Sequence, residues 1–345
     1  MKYDLLVFIG RFAPLHAGHH DVINRARSLA KNVLVLVGSA GVARSTRNPF
    51  TYNERCRMIL NVFESTPGAP VGVQPIHDHT YNDAAWILEV QETVRDWCRE
   101  DAFMVGLNEQ SKIGLIGCDK DHTSYYLKLF PDWGNESVHF NAPLNATEFR
   151  KELFTNDLKE LWEQTNLAPS TYKFLKEFTG TPAYAGLKYN YDFEVNYKKE
   201  YGKGPFLTAD SLVQVGGKVL LIQRGKEYGS GLWALPGGFV NDEETFRNAA
   251  IRELREETRI RVPEPVLRGS VRSSATFDSP HRSLRARLVT QCYHIHLAND
   301  TSLPEVRGSD DAENAEFRDL AWILENEELF FEDHFHIIKS MLGVS

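Results

Sequence analysis

Glu253, Glu256 and Glu257 stand at i, i+3 and i+4 of one expected helix and so share a face. Like charges at that spacing repel, and a soluble helix has little structural reason to stack them. A divalent cation supplies the reason, because Mg²⁺ and Mn²⁺ prefer carboxylate oxygens and keep positions open for phosphate. The spacing upstream is also ordered: Gly238, five residues, Glu244, seven residues, then Arg252-Glu253-Leu254-Arg255-Glu256-Glu257. A solvated acidic face is the plain alternative, and the spacing back to Gly238 weighs against it.

This run resembles the Nudix box, G-x5-E-x7-R-E-U-x-E-E-x-G-U with U aliphatic. Every fixed position matches except the second glycine, where Arg259 stands before Ile260. That glycine normally gives the helix a left-handed cap, so the cap is in question here and the carboxylates are not. The resemblance implies hydrolysis of a nucleoside diphosphate linked to another group, with bound Mg²⁺ (or Mn²⁺). It implies Glu253, Glu256 and Glu257 as metal ligands, Glu244 as support and Arg252 as the group orienting a glutamate, with Glu244, Arg252 and Glu257 in the catalytic set.

A second constellation lies near the start, in Gly10-Arg11-Phe12-Ala13-Pro14-Leu15-His16-Ala17-Gly18-His19. Gly10 lets the chain turn off an apolar strand, and His16 and His19 flank Gly18 where a helix begins. Free N–H groups and the positive dipole end at a helix start suit a polyphosphate. Two imidazoles there can stabilise charge on a leaving pyrophosphate. Alone, two histidines at this spacing could equally cap a helix or bind metal.

With Gly-Arg-Phe-x-Pro ahead of it, the segment resembles the nucleotidyltransferase signature (H/T)xGH. The family's second signature, Ser/Thr-x-x-Arg, is matched by Thr147-Glu148-Phe149-Arg150. Between the two, the chain resembles the nicotinamide mononucleotide (NMN) adenylyltransferases. Those residues are Ser45 to Thr51 with Glu54-Arg55; Tyr81-Asn82-Asp83 with Trp86; and Gly117-Cys118-Asp119-Lys120-Asp121. By this resemblance Arg11 and Arg47 hold phosphates, and Thr147 and Arg150 face the same phosphates as His16 and His19. Asp83 and Trp86 hold the nicotinamide ring, and the loop Gly117, Asp119, Lys120, Asp121 borders the adenosine. Trp86 could also be plain core and Arg47 a solvated loop charge.

These groups need elements to carry them. Apolar strands at residues 4–9, 33–38, 71–76, 113–117 and 137–140 alternate with helical stretches at 19–30, 53–64, 84–98 and 123–130. Such alternation argues for an α/β fold with a parallel sheet, whose ligands sit at the strand carboxyl ends. The Rossmann-like nucleotidyltransferase domain is expected over 1–180. Residues 181–205, rich in Tyr, Lys and Gly and lacking a clear period, read as a linker that packs on a domain. From 206 to 345 the chain turns strand-rich, beginning with a hairpin turned at Gly216-Gly217, as expected of a Nudix α/β/α sandwich.

On the following hairpin Arg272, Arg282 and Arg285 would suit a substrate with several phosphates, such as ADP-ribose; an exposed edge strand is the alternative. Asp310-Asp311-Ala312-Glu313 is an acidic loop where the resemblance places a general base, with Glu313 or one of the aspartates as the candidate.

A chain of 345 residues suggests two domains. Its net charge of −8 argues against a general nucleic-acid binder. The four scattered cysteines read as reduced thiols, and no apolar run reaches membrane-spanning length, so a cytoplasmic location is expected. The expected partners are small nucleotides: ATP, NMN, NAD and ADP-ribose. Homo-oligomerisation is left open. Together the two halves resemble the bifunctional NMN adenylyltransferase/Nudix hydrolases, which implies NAD synthesis in front and ADP-ribose hydrolysis behind. NADH or another nucleoside diphosphate derivative as the rear substrate, and a rear domain that only binds ADP-ribose or NAD, are the alternatives. A different front acceptor, such as nicotinate mononucleotide or pantetheine phosphate, is another.

Overall fold

The computed structural model describes residues 1–64, 66–100, 107, 110–118, 129–138, 146–155, 167–225, 228–298 and 302–344. The chain divides into two compact units, Met1–His79 with Asp83–Lys188, and Thr80–Asn82 with Tyr189–Ser345.

The first unit carries β1 (Tyr3–Gly10), α1 (Ala17–Leu29), β2 (Ala30–Val37), α2 (Tyr52–Phe63), β3 (Val71–Pro75), α3 (Asp83–Glu100), β4 (Ile113–Cys118), β5 (Gly134–Val138), α4 (Ala146–Thr155) and α5 (Pro169–Phe178). Helix α6 (Pro182–Tyr201) runs across the division between the units. The strands form one sheet in the order β3-β2-β1-β4-β5, parallel throughout. The chain leaves β1 towards β2 and β3 on one side and later returns to β4 on the other. This order reversal beside β1 opens a crevice at the strand ends, where nucleotides bind in such sheets. Leu5, Val7, Leu34, Leu36 and Leu115 pack one face of the sheet against Val90, Val94 and Trp97 of α3.

The second unit adds β6 (Phe206–Val215), β7 (Lys218–Arg224), β8 (Trp233–Ala234), β9 (Gly237–Phe239), α7 (Phe246–Thr258), α8 (Glu264–Gly269), β10 (Val271–Phe277), β11 (Leu288–Leu297), β12 (Ala312–Asp319), α9 (Leu320–Glu325) and α10 (His334–Leu342). Its sheet runs β10-β11-β6-β7-β12, with β8 on β7 and β9 on β6. Only β11 and β6 pair in parallel among these described strands. The hairpin at Gly216-Gly217 closes as expected, with Val215 opposite Lys218. One side of the sheet packs on α7 through Ile251 and Leu254, and the other on α10 through Phe335, Ile337 and Ile338.

Two expectations need correction. Most of 181–205 is the helix α6 rather than an aperiodic linker. Its period is hidden because aromatic residues spread around it and Gly186 interrupts it, but Tyr197 meets both Phe193 and Tyr201 at the i, i±4 spacing of a helix. In the expected helix 123–130, residues 123–128 lie outside the described residues, and Leu129 and Phe130 are not helical.

Candidate functional sites

In the first unit the signature loop leaves β1 at Gly10. A Cβ there would meet the Phe12 ring at 3.1 Å, and Phe12 itself is buried with φ 51°. His16 is the residue before α1, in an extended conformation (φ −125°, ψ 171°). Its backbone N–H points to His19 Nδ1 at 3.4 Å, and the two rings stack with centroids 3.7 Å apart. The Phe12 ring lies 4.8 Å from His19, and Gly18 is buried in the first turn. Both imidazoles are thus held at the positive dipole end of α1.

Arg55, in α2, organises the loops around this end. It is 1% exposed and donates to the carbonyls of Arg11 (2.8 Å), Gly38 (2.6 Å), Ser39 (2.8 Å) and Thr51 (3.3 Å). One guanidinium thereby ties the loops after β1 and β2 to the start of α2. That start has a Thr51/Glu54 capping box, and Glu54 also pairs both terminal nitrogens of Arg44. Arg47 sits in the loop so fixed.

Three guanidiniums then converge. Burial lowers the Arg11 pKa to about 10, with the charge of Arg47 adding to the effect and Asp78 opposing it. Burial likewise lowers Arg150 to about 10, helped by Arg11 and Arg47. Arg47 is lowered by burial and opposed by Asp78. Three largely buried, mutually repelling cations would suit a multiply charged anion. Arg150 is oriented by donating to the Ala13 carbonyl at 3.2 Å.

Asp78 was missed in the sequence, where it reads as one loop acid between two histidines. His77 and His79 each bond one oxygen of Glu89 at 2.7 Å, fastening the loop that carries it. Asp83, by contrast, is exposed at the start of α3. Trp86 is partly buried against the core, 6.3 Å from Phe130. Tyr81 belongs to the second unit, where its hydroxyl donates to Asp333 at 2.5 Å. Gly117 is buried within β4. Asp119, Lys120 and Asp121 lie outside the described residues; Thr147 is in the first turn of α4, but its side chain lies outside them too.

In the second unit α7 starts at Thr245, whose hydroxyl accepts from Asn248 N, and ends on Arg259 in the left-handed region (φ 44°, ψ 33°). The cap that glycine usually provides is therefore kept by an arginine. Ala249, Ala250 and Leu254 bury one face, and the Glu257 side chain follows them inward. Pairing of β9 with β6 sets Gly238 opposite Ala209 and Gly237 opposite Asp210. Both glycines are needed for close approach. A Cβ on Gly237 would come 2.2 Å from Asp210 Oδ1, and one on Gly238 would come 2.4 Å from Glu253 Oε1.

Gly237 N donates to Glu257 at 2.9 Å, yet burial, with the charge of Glu253 adding, pushes the Glu257 carboxyl up to about 8. Burial also raises Glu253, with Glu256 and Asp310 adding repulsion. Arg252 bonds Glu244 through Nε (3.0 Å) and Nη2 (2.8 Å), and reaches Glu253 (2.7 Å) and Glu256 (3.0 Å) through Nη1. Because two glutamates turn to Arg252 and the third to a backbone amide, no group of three or more His, Cys, Asp or Glu side chains is gathered to hold a metal ion among the described residues. The donor chemistry nonetheless fits a divalent cation: three carboxylates lie within one helical turn, and two of them are held above their ordinary range by burial, with neighbouring carboxylate charge adding.

The other candidates divide. Arg272 occupies a bulge in β10, is exposed, and acts on His294. Arg282 is not an exposed edge residue: it is buried and bonds both oxygens of Asp333 at 3.0 Å. Arg285 lies over the rings of Tyr228 (5.3 Å) and Phe331 (5.6 Å), beside Glu332 at 3.5 Å. Arg224, missed because it looked like the polar end of a hairpin strand, sits 4.2 Å from the Phe331 ring and feels both Arg285 and Glu257. Glu313 is the bulged residue of β12 and is exposed. The acidic-loop charge that reaches Glu253 is that of Asp310.

Comparison with known proteins agrees with this division. A NUDIX domain model matches residues 206–341, and a cytidylyltransferase-like model matches 7–100. A crystal structure of a bifunctional NMN adenylyltransferase/ADP ribose pyrophosphatase from Francisella tularensis, complexed with AMP and a Mn ion, superposes with a TM-score of 0.89 at 31% identity, covering 99% of both chains. The nicotinamide/nicotinic acid mononucleotide adenylyltransferase of Acinetobacter baylyi is 35% identical over 55% of this chain and 94% of its own. The ADP-ribose pyrophosphatase of Methanocaldococcus jannaschii is 32% identical over 40% of this chain and 73% of its own. No helix among the described residues is long and apolar enough to cross a membrane.

Proposed function

We propose, since the chain belongs to the family of bifunctional NMN adenylyltransferase/ADP-ribose pyrophosphatases, that its first unit joins NMN and ATP into NAD and pyrophosphate. Its second unit hydrolyses ADP-ribose to AMP and ribose 5-phosphate. The observation that carries the first reading is that Arg11, Arg47 and Arg150 act on one another electrostatically, with Arg150 bonded to the Ala13 carbonyl of the loop that leads to His16 and His19.

In the first reaction the NMN phosphate attacks the α-phosphorus of ATP and pyrophosphate leaves, with no covalent enzyme intermediate. The protein's part is to position and neutralise. The three arginines offset repulsion between the two phosphate groups. His16, His19 and the amides opening α1 donate to the departing pyrophosphate.

In the second unit Glu253, Glu256 and Glu257 would hold Mg²⁺ or Mn²⁺. Bound there, the ion supplies Lewis-acid polarisation of the diphosphate and a more acidic water. Arg252, anchored on Glu244, keeps Glu253 and Glu256 on one side of α7, and Gly237 N orients Glu257. Arg285 and Arg224, backed by the buried rings of Tyr228 and Phe331, would supply positive charge to a nucleoside diphosphate. Arg282 serves from behind, by fixing Asp333.

The full-length chain is assayed with ATP and NMN, and separately with ADP-ribose, NADH and NAD in the presence of Mg²⁺ or Mn²⁺. NAD formation and AMP release from ADP-ribose are expected. Preferred cleavage of NADH would overturn the substrate assignment, and no metal-dependent cleavage would overturn the hydrolase reading.

A further inference from the structure

Arg259 occupies the left-handed position that ends α7, where glycine is the least strained residue. Its side chain does something glycine could not: Nε donates to Ser309 Oγ at 2.8 Å. Ser309 lies in the acidic segment that returns along the end of the helix. Ser309 N donates to the Glu257 carbonyl (3.0 Å), and Arg307 N to the Thr258 carbonyl (2.8 Å). The helix's last carbonyls, which need partners from outside it, are thus satisfied by this loop. Asp310, the next residue, has φ 57°, a conformation that costs a side chain energy and must be held by its surroundings. Arg259, Ser309 and Asp310 line one cleft of about 860 Å³ together with Arg252 and Glu256.

We propose that Arg259 is a positioning residue of the hydrolytic site: bonded to Ser309, it latches the acidic loop to the end of α7 so that Asp310 stands beside the glutamate face. This rests on the reading of the second unit as a metal-dependent hydrolase. If Arg259 were only a cap, glycine would serve as well or better, because it relieves the left-handed strain.

The test uses the full-length chain and the variants Arg259→Gly, Arg259→Lys and Ser309→Ala. Amide hydrogen exchange at Ser309 and Asp310 reads the latch without any assay of catalysis. ADP-ribose turnover with Mn²⁺ reads its use. Arg259→Gly is expected to melt no lower than wild type, to exchange faster at these amides, and to lose about fivefold in kcat at unchanged KM, the worth of one charged hydrogen bond near the surface. Arg259→Lys, which keeps a donor, restores most of both. Ser309→Ala matches Arg259→Gly, and the double variant is no worse than either single one.

Unchanged exchange in Arg259→Gly overturns the latch, and faster exchange with unchanged kcat overturns its role in catalysis. A wild-type chain that does not hydrolyse ADP-ribose contradicts the hydrolase reading instead, and shows this before any variant is made.

Discussion

Glu253 lies directly against the backbone of Gly238, so closely that a Cβ on Gly238 would come within 2.4 Å of Glu253 Oε1. The first residue of the Nudix box and its second glutamate are therefore one contact, made by pairing β9 with β6 and packing α7 beside them. Gly238→Ala should push the carboxylate off its position. A displacement of about 1 Å at a reacting centre costs on the order of a hundredfold in rate. Steady-state assays should show that loss in ADP-ribose hydrolysis with NAD synthesis intact. Hydrolysis within a fewfold of wild type would mean that Glu253 can move without consequence.

Arg55 links two loops of the first unit, those after β1 and β2, through four carbonyls while itself buried. Its bonds all go to neutral oxygens, so shortening the side chain strands several buried acceptors at once. Arg55→Ala should destabilise the first unit by about 3–5 kcal/mol, because each buried carbonyl left without a donor costs about 1–3 kcal/mol. Arg55→Lys should recover little, because one ammonium cannot reach the same carbonyls. Chemical denaturation followed by circular dichroism measures this; a change under about 1 kcal/mol would show that the loops hold themselves.

Glu89 supplies a pH-dependent prediction. Burial would raise its carboxyl, but the bonds from His77 and His79 outweigh it and bring the pKa from 4.5 down to about 2. A carboxyl depressed by folding contributes stability that is full above its unfolded pKa, about 4.5, and is lost as pH falls towards about 2. Glu89→Gln should cost about 1 kcal/mol at pH 7, the scale of hydrogen bonds to a partly exposed carboxylate. The melting-temperature gap between wild type and variant should narrow as the pH drops below about 4.5. A gap that does not change across that range would show that the histidine bonds do not favour the ionised form. Because Asp78 sits between the two histidines and its charge acts on Arg11 and Arg47, the variant should also raise the KM for ATP or NMN.

Local pattern carried much of the architecture. The strands expected at 4–9, 33–38, 71–76 and 113–117 are present within three residues at each end, because a buried parallel strand is a continuous apolar run. The glutamate helix was equally plain from its spacing. What stayed hidden depends on partners far along the chain. Arg282 looked like a phosphate ligand because nothing near it in sequence suggests Asp333, 51 residues on. Asp78 and Arg224 gain meaning only when folding brings them beside Arg11 and Glu257. Helix α6 was missed for a different reason: its aromatic side chains point several ways, so no apolar stripe marks its period. A cut near residue 190 to separate the units would open that helix.

The most direct test of the two-site reading is the Glu257→Gln variant of the full-length chain, assayed for both reactions in one preparation. Glu257 is buried on α7 with its carboxyl held by Gly237 N, and glutamine keeps the shape while removing the capacity to ionise on a metal. The expected result is loss of metal-dependent ADP-ribose hydrolysis with NAD synthesis from NMN and ATP at the wild-type rate. Loss of both activities, or hydrolysis that persists, would contradict it.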